Sequence, residues 1–135
     1  METSRPVIIK RVPENLNLKR ARAFLEEVRP LLEHDRPQLV FDLSLVRRID
    51  AAGVEMLLHC MNEAARRDGD LKLASLSPQA QVVLDLTRSG RLFEIFATSA
   101  DAASSFSGYL PNMVRQFRRS PVSEGKSGDE EKAVA

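Results

Sequence analysis

Residues 39–67, LVFDLSLVRRIDAAGVEMLLHCMNEAARR, constrain the fold more than any other stretch of the chain. Leu39-Val40-Phe41 is an apolar run too short for a helix and rich in bulky side chains, which fits a buried strand. Further on, Val54, Leu57, Leu58, Met61 and Ala65 recur at three- and four-residue spacing and describe one face of a helix. A polar loop from Asp42 to Gly53 joins the two. The loop therefore leaves the carboxyl end of a strand and enters a helix N-terminus, the end of an α/β sheet that commonly carries function.

The flanking sequence repeats the alternation. Val7–Val12 is a β-branched run and reads as a strand. Asn15 or Asn17 can cap a helix whose inner stripe is Leu18, Ala21, Leu25, Val28 and Leu32, widened by Phe24 and Leu31. Pro30 should kink that helix or end its regular part. The helix after the loop should stop near Arg66-Arg67-Asp68-Gly69, with Gly69 in the left-handed cap. Leu71, Leu73 and Leu76 mark another strand. Ser77-Pro78 opens a short helix with Val82, Val83 and Leu86 inward, ended by Gly90. Leu92, Phe93, Ile95 and Phe96 form a further strand. Ser99 or Asp101 starts a last helix containing Ala102, Ala103 and Phe106. Strand and helix alternate throughout, which predicts an α/β fold.

The pattern D-L-S-x-V-x-x-I-D-x-x-G-V-x-x-L, followed by Gly69-Asp70-Leu71-Lys72-Leu73, Ser77-Pro78-Gln79 and Arg91-Leu92-Phe93-Glu94-Ile95-Phe96, resembles the STAS domain. That family includes the bacterial anti-sigma factor antagonists. The resemblance runs from about Val7 to about Phe106. It implies a small mixed sheet with the helices packed largely on one side. It also implies two strands before the first helix; with only residues 1–5 ahead of Val7-Ile8, the amino end reads as shortened. Residues 1–108 then form the domain, 109–119 a short amphipathic helix with Tyr109, Leu110, Met113, Val114 and Phe117, and 120–135 a disordered polar tail.

In the antagonists the loop before the central helix carries Asp-Ser-Ser-Gly or a close variant, and a partner kinase phosphorylates the first serine. This chain has Asp50-Ala51-Ala52-Gly53, so the motif position holds no hydroxyl. The resemblance implies a protein-interaction module that binds an anti-sigma factor or related regulatory kinase. Ile49, Asp50, Ala51, Gly53, Val54 and Leu57 are the candidate docking residues. Asp50 would supply polar contact, Ala51 and Gly53 close approach, and exposed parts of Ile49 and Val54 apolar area; Leu57 serves either the interface or the core. The alternative is an accessory subunit that docks on the ATPase of a membrane ABC transporter. Ser44, Ser75, Ser77, Thr87 and Ser89 are the remaining hydroxyls near this region; no pattern makes one a substitute phosphosite.

Composition narrows the classes further. The 135 residues carry a net charge of +1, without the gathered basic excess of a nucleic-acid binder. No apolar run approaches the roughly 18 residues of a membrane span, and the amino end lacks a signal-peptide core, so a cytoplasmic protein without membrane insertion is expected. One cysteine, Cys60, excludes an internal disulfide or a cysteine metal cluster. His34 and His59 have no ligand-spaced companion, and no Gly-Lys-Ser/Thr loop is present, so no metal, cofactor or catalysis is expected. A homodimer stays open.

Overall fold

The computed structural model describes residues 6–107 and the backbone of 113–116. In chain order the elements are β1 (Ile8–Arg11), β2 (Asn15–Leu16), α1 (Leu18–Leu32), β3 (Gln38–Asp42), β4 (Arg48–Ile49), α2 (Ala51–Arg66), β5 (Asp70–Ala74), α3 (Pro78–Leu86), a 3-10 turn (Ser89–Leu92), β6 (Glu94–Phe96), α4 (Ser99–Ser105) and β7 (Met113–Gln116). The main sheet has the order β1-β3-β5-β6-β7. Its first four strands are parallel and β7 is antiparallel to β6. The sheet is therefore mixed, as expected. Within the helix expected over 109–119, residues 113–116 form β7 instead, since pairing with an open strand edge outweighs a weak local helical pattern, and the other residues of that segment lie outside the described ones. The tail expected over 120–135 lies outside the described residues.

Two strands do precede α1. The second is β2, which follows β1 rather than preceding it, and pairs in parallel with β4 in a separate two-stranded ribbon. Two-residue strands offer no alternation to read, so both were silent in the sequence.

The sheet is covered unequally. Leu39, Phe41, Leu71, Leu73 and Ile95 face a large core that receives Ala21, Phe24, Val28 and Leu32 from α1, Val54, Leu57, Cys60 and Ala64 from α2, and Ala80 and Leu84 from α3. Phe24 meets Phe41 edge-on, centroids 5.3 Å apart. The other face carries a smaller cluster, Val40, Ala74 and Phe96 with Ala102 of α4. Three helices thus share one face and α4 takes the other. Beneath α4 lies Lys72, whose Nζ donates to Ser105 Oγ at 2.6 Å, pairs with Glu94 at 3.2 Å and lies 4.3 Å from the centre of the Phe106 ring.

Several inner faces differ from the sequence reading. In α1, Phe24 replaces Leu18 and Leu25 at the centre; Leu18 is exposed. α1 runs through Pro30 to Leu32, because the proline lies in the last turn on the solvent side. In α2 the buried line is Gly53, Val54, Met56, Leu57, Cys60 and Ala64, leaving Ala65 exposed. In α3 the inner residues are Ala80 and Leu84, while Val82 and Leu86 face solvent. α3 ends at Thr87 and Arg88, the latter left-handed at φ 61°, and Gly90 falls inside the following turn. Leu92 is exposed outside β6, and Thr98 rather than Ser99 or Asp101 caps α4.

The end of α2 is a Schellman motif. Gly69 N–H donates to the Ala64 carbonyl at 2.8 Å and Asp68 N–H to that of Ala65 at 3.0 Å. The left-handed residue is Asp68, φ 63°, not Gly69. Gly69 is small for another reason: a Cβ there would stand 2.1 Å from the Pro37 carbonyl oxygen, where the chain enters β3. The two positions predict opposite effects in urea unfolding. Gly69→Ala should destabilise by about 2 kcal/mol or more, and Asp68→Gly should stabilise by roughly 0.5 kcal/mol because glycine tolerates positive φ.

Candidate protein-docking surface

The loop from Leu43 to Asp50 is shaped mainly by backbone contacts. Asp42 begins it: Oδ1 accepts the Ser44 N–H at 2.8 Å, an Asx turn, and Oδ2 accepts from Ser99 Oγ of α4 at 3.3 Å. Asp42 therefore stabilises the loop. The Glu14 carbonyl accepts both the Arg47 and Arg48 N–H groups, at 2.8 and 3.2 Å, which lays β4 beside β2. The exposed Arg47–Glu14 ion pair, 3.2 Å, adds under about 1 kcal/mol.

Asp50 is the N-cap of α2. Its backbone is extended and its Oδ1 accepts the Gly53 N–H at 3.2 Å. Ala51 is the first helical residue and is exposed, beside the half-buried Ala52. Gly53 is buried, and its close approach is internal: a Cβ there would stand 2.6 Å from the Leu16 carbonyl oxygen and 2.8 Å from Ile49 Cγ1. β2 therefore sets the height of the α2 N-terminus above the sheet.

Of the six candidate residues, Asp50 and Ala51 reach solvent together. Ile49, Val54 and Leu57 are core residues with 8%, 5% and 0% exposure. They hold the surface from below and do not supply the apolar area expected of Ile49 and Val54. The exposed side chains of the adjoining loop and first helical turn are Ser44, Leu45, Arg47, Arg48 and Glu55. Leu45, Arg47 and Arg48 were not among the candidates; their position in a loop before a capped helix was the available signal.

The remaining chemistry is spare. Ser77 Oγ caps α3 by accepting the Ala80 N–H at 3.0 Å, and Ser89 is buried. Thr87 donates to the Val83 carbonyl at 2.9 Å, and Ser75 to that of Ala97 at 3.3 Å. His34 and His59 are exposed. Among the described residues no group of three His, Cys, Asp or Glu could hold a metal ion, and no helix is long and apolar enough to cross a membrane. Cys60 is buried against Met56, Sγ to Sδ 3.7 Å, and burial pushes its thiol up to about 12.

The geometry and sequence find a common family. The model of the STAS domain matches residues 1–102, and the chain belongs to that family. The solved structures it resembles include the Thermotoga maritima protein TM1081. Its crystal form, a candidate anti-sigma factor antagonist, shares 24% identity at TM-score 0.63, over 69% of this chain and 81% of that one. The NMR form of TM1081 gives 22% and 0.64, over 76% and 83%. A STAS-domain anti-sigma-factor antagonist protein of Planctomyces limnophilus gives 18% and 0.61, over 68% and 80%. These likenesses show the fold. No curated protein sequence matches significantly.

Two outcomes are expected. Asp50→Ala should lower stability by about 1 kcal/mol through loss of the cap, while Asp50→Ser retains most of it, measured by thermal unfolding. Native Cys60 should resist a thiol reagent at pH 8 and react only as the chain unfolds. The raised pKa also gives a linkage: the thiol's contribution to stability is complete below about pH 8.5, the unfolded value. It is lost as pH rises from there towards 12.

Proposed function

We propose that this protein is a non-catalytic, cytoplasmic interaction module that docks on a kinase-type anti-sigma factor through the loop before β4 and the exposed first turn of α2. The observation that carries this reading is the pair Asp50 and Ala51. They stand at the solvent-facing N-terminus of a capped helix, on a surface with no buried titratable cluster to run a reaction. In the antagonists a phosphate at this place adds about −1.5 to −2 charge to the docking surface and alters binding. The Ala51 methyl group cannot accept one. Docking here is therefore permanent with respect to that switch. The anti-sigma factor antagonist STAS proteins resembled in fold support the reading of a regulatory partner.

The same missing hydroxyl favours a second reading, an accessory subunit held on the ATPase of an ABC transporter, because assembly needs no switch. A tagged-protein pull-down from the native cell extract, with bound proteins identified by mass spectrometry, separates them. Recovery of an anti-sigma factor kinase supports the first reading; recovery of a transporter ATPase without a kinase replaces it with the second.

With the purified kinase, Ala51→Glu should weaken binding by about tenfold or more, since it places charge at the centre of the contact. Glutamate suits the first turn of a helix, so the fold should hold. Ala51→Ser should become phosphorylated in the presence of ATP, read as a phosphate adduct by mass spectrometry. Unchanged affinity for the glutamate variant would remove Ala51 from the interface.

A further inference from the structure

The carboxyl ends of three neighbouring strands are tied into a closed ring of hydrogen bonds. Leu43 N–H, just past β3, donates to the Ala74 carbonyl of β5 at 3.0 Å. The next residue, Ser75, donates its N–H to the Phe96 carbonyl of β6 at 3.0 Å and its Oγ–H to that of Ala97 at 3.3 Å. Ser99, two residues beyond Ala97, returns to β3: its Oγ donates to Asp42 Oδ2 at 3.3 Å. The first bonds join strands that already pair in the sheet. The last spans 57 residues of chain and comes from α4, on the sheet face away from α1, α2 and α3.

The hydroxyl of Ser99 is not needed to close its own helix. Thr98 is the N-cap of α4, and its Oγ1 accepts the Asp101 N–H at 3.0 Å. α4 is also seated from below: Ala102 is fully buried in the small cluster, and Ser105 accepts from Lys72 Nζ at 2.6 Å. Ser99 therefore meets Asp42 from a fixed position. The other carboxylate oxygen of Asp42 accepts the Ser44 N–H at 2.8 Å, and Val46 N–H closes a turn on the Leu43 carbonyl at 3.2 Å. The terminal torsion of an aspartate is broad and two-fold, so a single donor leaves the carboxylate free to turn. Two donors, one on each oxygen, fix its plane. So fixed, Asp42 braces the turn that carries the exposed Ser44 and Leu45.

We propose that Ser99 is a positioning residue for the docking loop: through Asp42 it holds the turn over residues 43–46 in the shape that the partner meets. The inference rests on the docking reading above and adds to it a residue from the opposite sheet face. Ser99 acts through the Asp42 carboxylate and need not touch the partner. A loop ordered before binding loses less freedom when it docks, so the bond between α4 and Asp42 contributes to affinity from a distance.

The first test needs no partner. Backbone order parameters are measured by NMR relaxation on the full chain and on Ser99→Ala, Ser99→Thr, Asp42→Ala and the Asp42→Ala/Ser99→Ala pair. Ser107→Ala is the control, since that hydroxyl donates to the Ser104 carbonyl at 2.9 Å and leaves the loop alone. Alanine suits a helix, so Ser99→Ala should keep the fold, which circular dichroism checks. Order parameters are read in the native state, so a small loss of global stability does not move them. In Ser99→Ala the Ser44, Leu45 and Val46 amides should fall from about 0.85 towards roughly 0.6, while Cys60 and Ala64 of α2 stay as in the parent. Threonine retains the hydroxyl and should restore the parent values. With Asp42 already replaced, Ser99→Ala should add nothing, because the carboxylate that carries its effect is gone. Loop amides unchanged in Ser99→Ala overturn the inference. So does a fall confined to α4, which would make Ser99 a support of its own helix. The same variants are then titrated with the purified anti-sigma factor kinase. Ser99→Ala should bind about fivefold or more weakly, and Ser99→Thr as the parent does. Parent-like affinity for Ser99→Ala, with the loop loosened and Ala51→Glu still weakening binding, overturns the inference and leaves the docking reading standing. A kinase that does not bind the parent chain removes the docking reading and the partner's share of this inference with it; the order parameters decide the loop's dependence on Ser99 in either case.

Discussion

Everything in this fold is hung on the two-sided burial of β3. Leu39 and Phe41 enter the large core, Val40 enters the small one, and all three are fully buried. Flanked by β1 and β5 in parallel register, β3 satisfies its backbone on both edges while both faces are dry. That arrangement requires cover on each side. α1 and α2 supply it on one face, and α4 supplies it on the other. The candidate loop leaves from the carboxyl end of this same strand, so Asp42, where it begins, is a fixed point.

The candidate surface is consequently rigid below and open above. Ile49, Val54 and Leu57 are its foundation, and the Leu16 backbone under Gly53 fixes the height of the α2 N-terminus. Only the cap and first residue, Asp50 and Ala51, meet solvent from the original candidate set. A switch at this place needs no moving part: adding charge at a fixed exposed position changes the surface and leaves the core untouched. Alanine at position 51 offers no hydroxyl for such chemistry and is well accommodated in the helix.

How much was legible depended on length and on which neighbours completed a contact. The cap at Asp50, the Ser77-Pro78 start and the β3–loop–α2 unit are local, and their residues specify them through neighbouring backbone groups. β2 and β4 were invisible because two residues carry no period. α3 misled because its apolar residues occur on both sides of a short helix, and only packing against β4 and the 3-10 turn chooses which side turns inward. Lys72 was similarly hidden. A lysine within a strand reads as solvent-facing until α4 covers that face and provides Ser105 and the Phe106 ring beside Glu94.

By itself the sequence determined the alternation of strand and helix, the position of the candidate loop, the family likeness and the absence of a hydroxyl at Ala51. Each of these is written in adjacent residues or in fixed spacing. The tertiary structure alone decided that Gly69 serves Pro37 rather than a left-handed turn, that Ile49 and Val54 are foundation rather than contact, and that Val82 and Leu86 face outward. Those outcomes depend on which segment, distant in the chain, comes to lie against each side chain, and excluded volume between such segments is settled only when the whole sheet has formed.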